Sequence, residues 1–207
     1  MFTPRLELFP ERIAENARAI IRLCHDHGIQ VACVGKVVCA HPVIMRALEE
    51  SGADLLADSR LENLRSLRQN GTTLPLMLLR IPTPSQVEEV IHAADISLVS
   101  DLETIKKISA AAMAAHSTHK VILMVDLGDL REGIWPSRLD EVLRAITRLP
   151  GVEVSGLGCN LACYGGVIPT TEKMQQLIDL RDQSETSLGI RLPVLCAGNS
   201  ANLPLLL

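Results

Sequence analysis

Apolar positions along the chain alternate between two patterns. Continuous runs rich in Val, Ile and Leu read QVACVG, ADLLA, LPLMLLR, ISLVS, KVILMVD, VEVSGLG and LPVLCAG. Between them lie longer stretches in which apolar residues recur at helical spacing, such as ERIAENARAIIRLCHDHG near the start. Short continuous runs suit strands buried on both faces, and the spaced pattern suits helices with one buried face. The pattern predicts seven strands alternating with helices, with a further strand-like run, LELF, ahead of the first helix.

The punctuation agrees. Ser100–Glu103 (SDLE) has the form of a capping box, Pro84 suits a first helical turn, and Gly52, Gly71 and Gly151 sit where helices should stop. A parallel βα repeat closes as an open doubly wound sheet or as a (β/α)8 barrel. No GxGxxG follows the first strand and the repeat is regular, so the expected fold class is α/β, a (β/α)8 TIM-type barrel. About seven βα units are present, so the barrel is expected to be incomplete at its C-terminus, with its eighth strand supplied by LELF or by sequence beyond Leu207. A terminal LLL would leave an apolar end exposed in a finished fold, which favours truncation. The expected organisation is therefore one barrel domain over residues 1–207, truncated as the front part of a longer protein.

Composition narrows the function. A chain of 207 residues with 47% hydrophobic and 21% charged residues can bury a sizeable core. A net charge of -4, a pI near 5.9 and only two Phe, one Trp and one Tyr argue against nucleic acid as a partner. No apolar run has the length of a membrane span, and MFTPRLELFPER lacks the apolar core of a signal peptide, so a cytoplasmic protein with no membrane partner is expected. Cys24, Cys33, Cys39, Cys159, Cys163 and Cys196 are scattered and expected as reduced thiols. Cys159 and Cys163 have a metal-pair spacing, but no neighbouring ligands complete a site, so no metal is expected.

In parallel βα folds functional groups gather at the C-terminal ends of the strands. Those ends carry Lys36, Asp58 with Arg60, Arg80, Ser100 with Asp101, Asp126 with Arg131, Asn160 with Tyr164, and Gly198-Asn199-Ser200. Lys36 follows a buried-strand run, where Val34, Val37 and Val38 would partly desolvate its amine and favour the neutral nucleophile; the other reading is a surface lysine at a loop start. Gly198, Asn199 and Ser200 could surround a phosphate or simply cap a helix. Arg131 could hold a carboxylate or a cofactor oxygen, or pair at the surface with Asp129 or Glu132. Gly165-Gly166 allows either close backbone approach or a bare turn. His25, His27, His92, His116 and His119 read as structural, His41 either caps the next helix or approaches the site of Lys36, and Met77, Met113, Met124 and Met174 read as core or helix-face filling.

The phrases VACVGKVVCAHP, ADSRLENL, LRIP, MVDLGDLREGI, GLGCNLACYGGVIPT and GNSANLP, in this order, resemble the fold-type III pyridoxal phosphate enzymes, the alanine racemase group, and most closely its ornithine racemase branch. The resemblance implies pyridoxal 5'-phosphate as cofactor and a Schiff base on Lys36, which also serves as one acid–base group at the substrate α-carbon. It implies that Asn199 and Ser200 bind the phosphate, that Arg131 lies by the cofactor's phenolic oxygen and the substrate carboxylate, and that Asn160 replaces a histidine stacked on the pyridine ring. KVVCAH stands where alanine racemases proper have KANAYG, and Met124 stands where many have a modified lysine. Both departures suit a basic amino acid such as ornithine rather than alanine. The family's eighth strand, its arginine at the pyridine nitrogen and its C-terminal β-domain, with the tyrosine that is the second base, are expected beyond Leu207, and the full-length protein is expected to be a homodimer. The expected function is a racemase interconverting L- and D-ornithine or a similar basic amino acid. The alternatives are a single-barrel cofactor carrier without catalysis, and a barrel for another phosphorylated metabolite in which Lys36 is a charge partner.

Overall fold

The computed structural model describes residues 4–207. It divides into two compact units, Met1–Leu76 and Met77–Leu207.

The first unit holds α1 (Pro10–Asp26), β1 (Ala32–Val34), a 3-10 turn over Lys36–Val38, α2 (Pro42–Glu49), β2 (Leu55–Asp58) and α3 (Leu61–Gln69). Pro10 and Pro42 open their helices at the position where a missing N–H costs nothing. Each helix buries one stripe: Ala17, Ile21 and Cys24 on α1, Ile44, Met45 and Ala47 on α2, Leu61, Leu64 and Leu67 on α3. β1 and β2 run parallel, with Ala32 opposite Leu55 and Val34 opposite Ala57. Residues 4–9 form neither strand nor helix, so LELF is not a strand. Its apolar residues lack a partner edge: Leu6 is 84% exposed.

The second unit begins within β3 (Leu76–Leu78) and continues through α4 (Val87–Ala93), β4 (Ile96–Val99), α5 (Leu102–Ala114), β5 (His119–Met124), α6 (Leu139–Ile146), β6 (Val152–Gly158), α7 (Thr171–Leu188), β7 (Val194–Cys196) and a 3-10 helix over Ser200–Leu205. Its strands are parallel and pair in chain order, β3 with β4 through to β6 with β7. A doubly wound sheet reverses its strand order at a switch point, and this run shows no reversal. Val121, Leu123 and Leu157 from the strands, with Val125 just past β5, pack with Ile105, Ile108, Leu143, Ile146 and Leu177 from the helices. Each such side chain contributes about 2 kcal/mol by leaving water.

Two close strand contacts depend on glycine. A Cβ on Gly156 would strike the Val194 carbonyl of β7, and one on Gly158 would meet Met124 Sδ at 2.8 Å and the Cys196 carbonyl at 2.9 Å. Gly52 and Gly71 follow their helices at φ of 94° and 86°, as the helix-stop pattern predicts, whereas α6 already ends at Ile146 and Gly151, at φ 70°, turns the chain into β6. Pro84 opens a 3-10 turn in which Gln86 Oε1 accepts from Thr83 N at 3.2 Å. The SDLE cap is shifted by one residue: Asp101, not Ser100, is the N-cap, and its Oδ2 accepts from Thr104 N at 2.8 Å and Thr104 Oγ1 at 2.7 Å. Met113 is half exposed on α5, and His119 is buried at the start of β5, where Nε2 meets Ser97 Oγ at 2.9 Å. Among the described residues no helix is long and apolar enough to cross a membrane.

Candidate functional site at the strand ends

In the first unit, Lys36 begins the 3-10 turn that follows β1 directly. Gly35 N donates to Ala57 O at 2.8 Å, which carries the β1–β2 pairing one residue past the strand and fixes where Lys36 leaves it. Ala40 N then folds back onto Gly35 O at 3.0 Å, with Cys39 and Ala40 both in the left-handed region at φ 50°. Gly35 is under Met45, whose Sδ a Cβ would meet at 2.6 Å. The side chain of Lys36 is exposed, and among the described residues nothing hydrogen-bonds or pairs with its Nζ. The valines do not bury it: Val37 is 87% and Val34 40% exposed, because the 3-10 turn aims Val37 outward. Asp58, at the end of β2, is fully buried; Oδ1 accepts from Arg60 N at 2.9 Å and Oδ2 has no partner.

The second unit brings the other predicted residues together through three connected loops. In the β5–α6 loop, Asp126 Oδ1 accepts from Gly128 N at 2.8 Å and Leu130 N at 3.2 Å, which makes the turn that presents Arg131. Asp126 N and Ile134 N close the base of this loop on Ile134 O and Met124 O. Gly133 has φ 137° and no room for a Cβ, which would strike the Asp126 backbone. Arg131 is exposed and pairs with neither neighbouring acid in the manner of a surface ion pair. Its Nη1 lies 2.6 Å from Cys163 Sγ, in the β6–α7 loop.

Asp129 is only 2% exposed, and its carboxylate accepts three main-chain N–H groups from the β6–α7 loop: Cys163 at 3.3 Å, Tyr164 at 3.0 Å and Gly165 at 3.0 Å. Glu132 accepts from Asn160 Nδ2. Gly165 lies so close to the Asp129 backbone that a Cβ would strike its carbonyl, and Gly166 turns with φ 67°. The two glycines thus divide between the two roles left open by sequence, close approach and turn. From α7, Lys173 Nζ donates to Leu127 O at 2.7 Å.

The third loop follows β7. Asn199 is the N-cap of the Ser200–Leu205 helix, with Oδ1 accepting from Ala201 N at 2.8 Å, and its Nδ2 donates to Leu161 O at 2.6 Å. The side chain of Asn199 is therefore used within the chain as a cap and as a tie to the β6–α7 loop. Gly198 and Ser200 on either side are exposed, and the space around Gly198 is open, with no atom within 4 Å of where a Cβ would sit. Met174 Sδ accepts from Asn202 Nδ2 at 3.3 Å, so Met174 serves this loop as well as a helix face.

Arg131, Asn160 and Asn199 are thus linked through successive contacts within the second unit, while Lys36 belongs to the first. Sequence reasoning gave Asp129 and Glu132 only as ion-pair partners of Arg131 and gave Lys173 no role. The acceptor-rich segment GDLRE offered the only signal, two acids flanking an arginine.

Parallel strands in chain order, with polar groups collected on the loops after the strands, define a (β/α)8 barrel, here with seven of the eight strands among the described residues. The model of the family "Alanine racemase, N-terminal domain" matches residues 10–206, and the chain belongs to that family. It is 39% identical over 204 residues to the ornithine racemase of Acetoanaerobium sticklandii, covering 98% of this chain and 57% of that protein. It is 34% identical over 200 residues to the lysine racemase of Thermotoga maritima, covering 97% of this chain and 56% of that protein. The chain spans little more than half the length of these curated relatives. Among solved structures, PipY of Synechococcus elongatus PCC7942, determined with PLP bound, superposes with a TM-score of 0.77 at 20% identity, over 94% of this chain and 92% of that one.

Proposed function

We propose that the chain is the cofactor-binding barrel of a pyridoxal-phosphate amino-acid racemase acting on ornithine or a similar basic amino acid. The observation that carries this reading is Lys36: an exposed amine, engaged by nothing among the described residues, held at a fixed point past β1 in a chain so similar to an ornithine racemase.

The residues fit the cofactor. Lys36 offers a primary amine to its aldehyde, and the open turn at Gly198 and Ser200, shaped by Asn199, offers a small hydroxyl and an unobstructed backbone to its phosphate. When bound, pyridoxal 5'-phosphate supplies a carbonyl that condenses with amines and a ring that draws electrons from the α-carbon. Lys36 Nζ then holds and moves a proton at that carbon. The Arg131 guanidinium, resting on a thiol rather than on a carboxylate, keeps its charge available for a substrate carboxylate or cofactor oxygen. Asn160, fixed by Glu132, lies with Arg131 on the same joined loops and supplies a neighbour for the ring. A homodimer belongs to the same reading.

Incubation with pyridoxal 5'-phosphate followed by borohydride should fix the cofactor on Lys36, and Lys36→Ala should abolish both the visible absorption band and the label. A Lys36→Ala chain that keeps the band overturns the assignment. A second reading, a cofactor carrier without catalysis, draws on the likeness to PipY, whose structure holds PLP. L-Ornithine in D2O separates the two: α-proton exchange or appearance of the D-enantiomer supports the racemase, and a bound but inert cofactor supports the carrier.

A further inference from the structure

We propose that Asp129 is a positioning residue for this site, holding Arg131 and Asn160 in register by clamping the β6–α7 loop to the β5–α6 loop. The proposal rests on the assignment of Arg131 and Asn160 to the cofactor and substrate; the clamp itself rests on geometry alone.

A buried carboxylate is costly unless its oxygens are satisfied, and here they are satisfied from one source. Oδ1 accepts from Cys163 N and Gly165 N, and Oδ2 from Tyr164 N. Three consecutive main-chain N–H groups converging on one anion form a nest, a backbone concavity that binds negative charge. The anion here is a side chain from another loop, so the nest is the joint between the two. Gly165 permits the approach, since a side chain there would strike the Asp129 carbonyl.

What the joint carries connects it to the site. Cys163, whose N–H is bound by Asp129, also presents the Sγ on which Arg131 Nη1 rests at 2.6 Å. Asn160, at the start of the same loop, reaches back to Glu132, the residue after Arg131. If the nest opens, Cys163 moves and Arg131 loses its support, and the tie between Asn160 and Glu132 loses the joint beside it. Cys163 and Gly165 are exposed and Tyr164 is 77% exposed, so no apolar packing at those positions substitutes for the carboxylate.

Asp129→Asn keeps the shape but removes the charge and turns its amide N–H groups against at least one of the three main-chain donors. In the chain without cofactor, hydrogen exchange at Cys163, Tyr164 and Gly165 should quicken by about tenfold or more, the scale of one hydrogen bond to a charged group, with exchange in β5 and β6 unchanged. Modification of Arg131 by phenylglyoxal should quicken, and the dissociation constant for pyridoxal 5'-phosphate should rise by a similar factor while borohydride still fixes the cofactor on Lys36. Gly165→Ala retains the carboxylate but pries the same loops apart, and should give the same three changes if Asp129→Asn does not fold. Unchanged exchange at the three amides overturns the clamp. Faster exchange with unchanged Arg131 reactivity and unchanged cofactor affinity shows a merely structural joint and overturns the positioning role. If the unaltered chain takes no cofactor on Lys36, the functional reading falls, and the clamp is judged on exchange and Arg131 reactivity.

Discussion

Arg131 Nη1 rests 2.6 Å from Cys163 Sγ, while Asp129 and Glu132, the acids nearest to Arg131 in sequence, are occupied by main-chain N–H groups and by Asn160. Cys163 is exposed at the surface beside this guanidinium, so a reagent reaches its Sγ without any opening of the fold. Cys39 is also exposed, whereas Cys24 and Cys159 are buried, and burial, with Cys196 adding to it, pushes the Cys159 thiol up to about 12. A brief iodoacetamide pulse on the native protein, read by peptide mass spectrometry, should label Cys163 and Cys39 first and Cys159 last. Labelling of Cys159 ahead of Cys163 would contradict the arrangement.

His119 gives the fold an acid-side weakness. Burial lowers its pKa from 6.5 to about 4, against a smaller opposing pull from Asp95. Between those values the unfolded chain binds a proton that the folded chain does not, so stability is full above about pH 6.5 and falls as pH drops toward 4. The loss amounts to at most about 3 kcal/mol. Urea unfolding across this range should show the slope, and His119→Gln should flatten it.

Asp101 ties the start of α5 through two bonds to Thr104. Asp101→Ala should cost about 1 kcal/mol, read as a lower urea midpoint, whereas Ser100→Ala should cost little, because Ser100 is not the cap.

Gly156→Ala tests the β6–β7 contact. The added methyl group meets the Val194 carbonyl, which is backbone and cannot swing aside. Destabilisation of about 1–3 kcal/mol is expected, with hydrogen exchange in β7 rising before that in β5.

What could be read from the sequence was what neighbouring residues decide. The seven apolar runs, the helix stripes and the stops at Gly52 and Gly71 follow from local spacing and backbone freedom, and each appears in the structure, whereas α6 stops at Ile146, short of Gly151. LELF failed because strand propensity needs a partner edge, which a run of four letters does not reveal. The burial of Lys36 was misjudged because hydrophobic neighbours in sequence say nothing of where a 3-10 turn points them, and Val37 points to solvent. Asp129 was beyond reach for another reason: its three partners come 34 to 36 residues later, and nothing in GDLRE marks that carboxylate as buried.

Outside glycine, left-handed backbone occurs at Cys39, Ala40, His116, Leu130 and Ala162 among the described residues, and all but His116 lie within four positions of Lys36, Arg131 or Asn160. Each such residue costs about 1 kcal/mol relative to glycine. Glycine at the exposed positions Leu130 and Ala162 would relieve that cost, so a laboratory selection for thermal tolerance alone should collect its gains there, in the loops a chemist would least want loosened. Heat-hardened variants of this barrel are thus expected to be found by trading away the rigidity of their own strand ends.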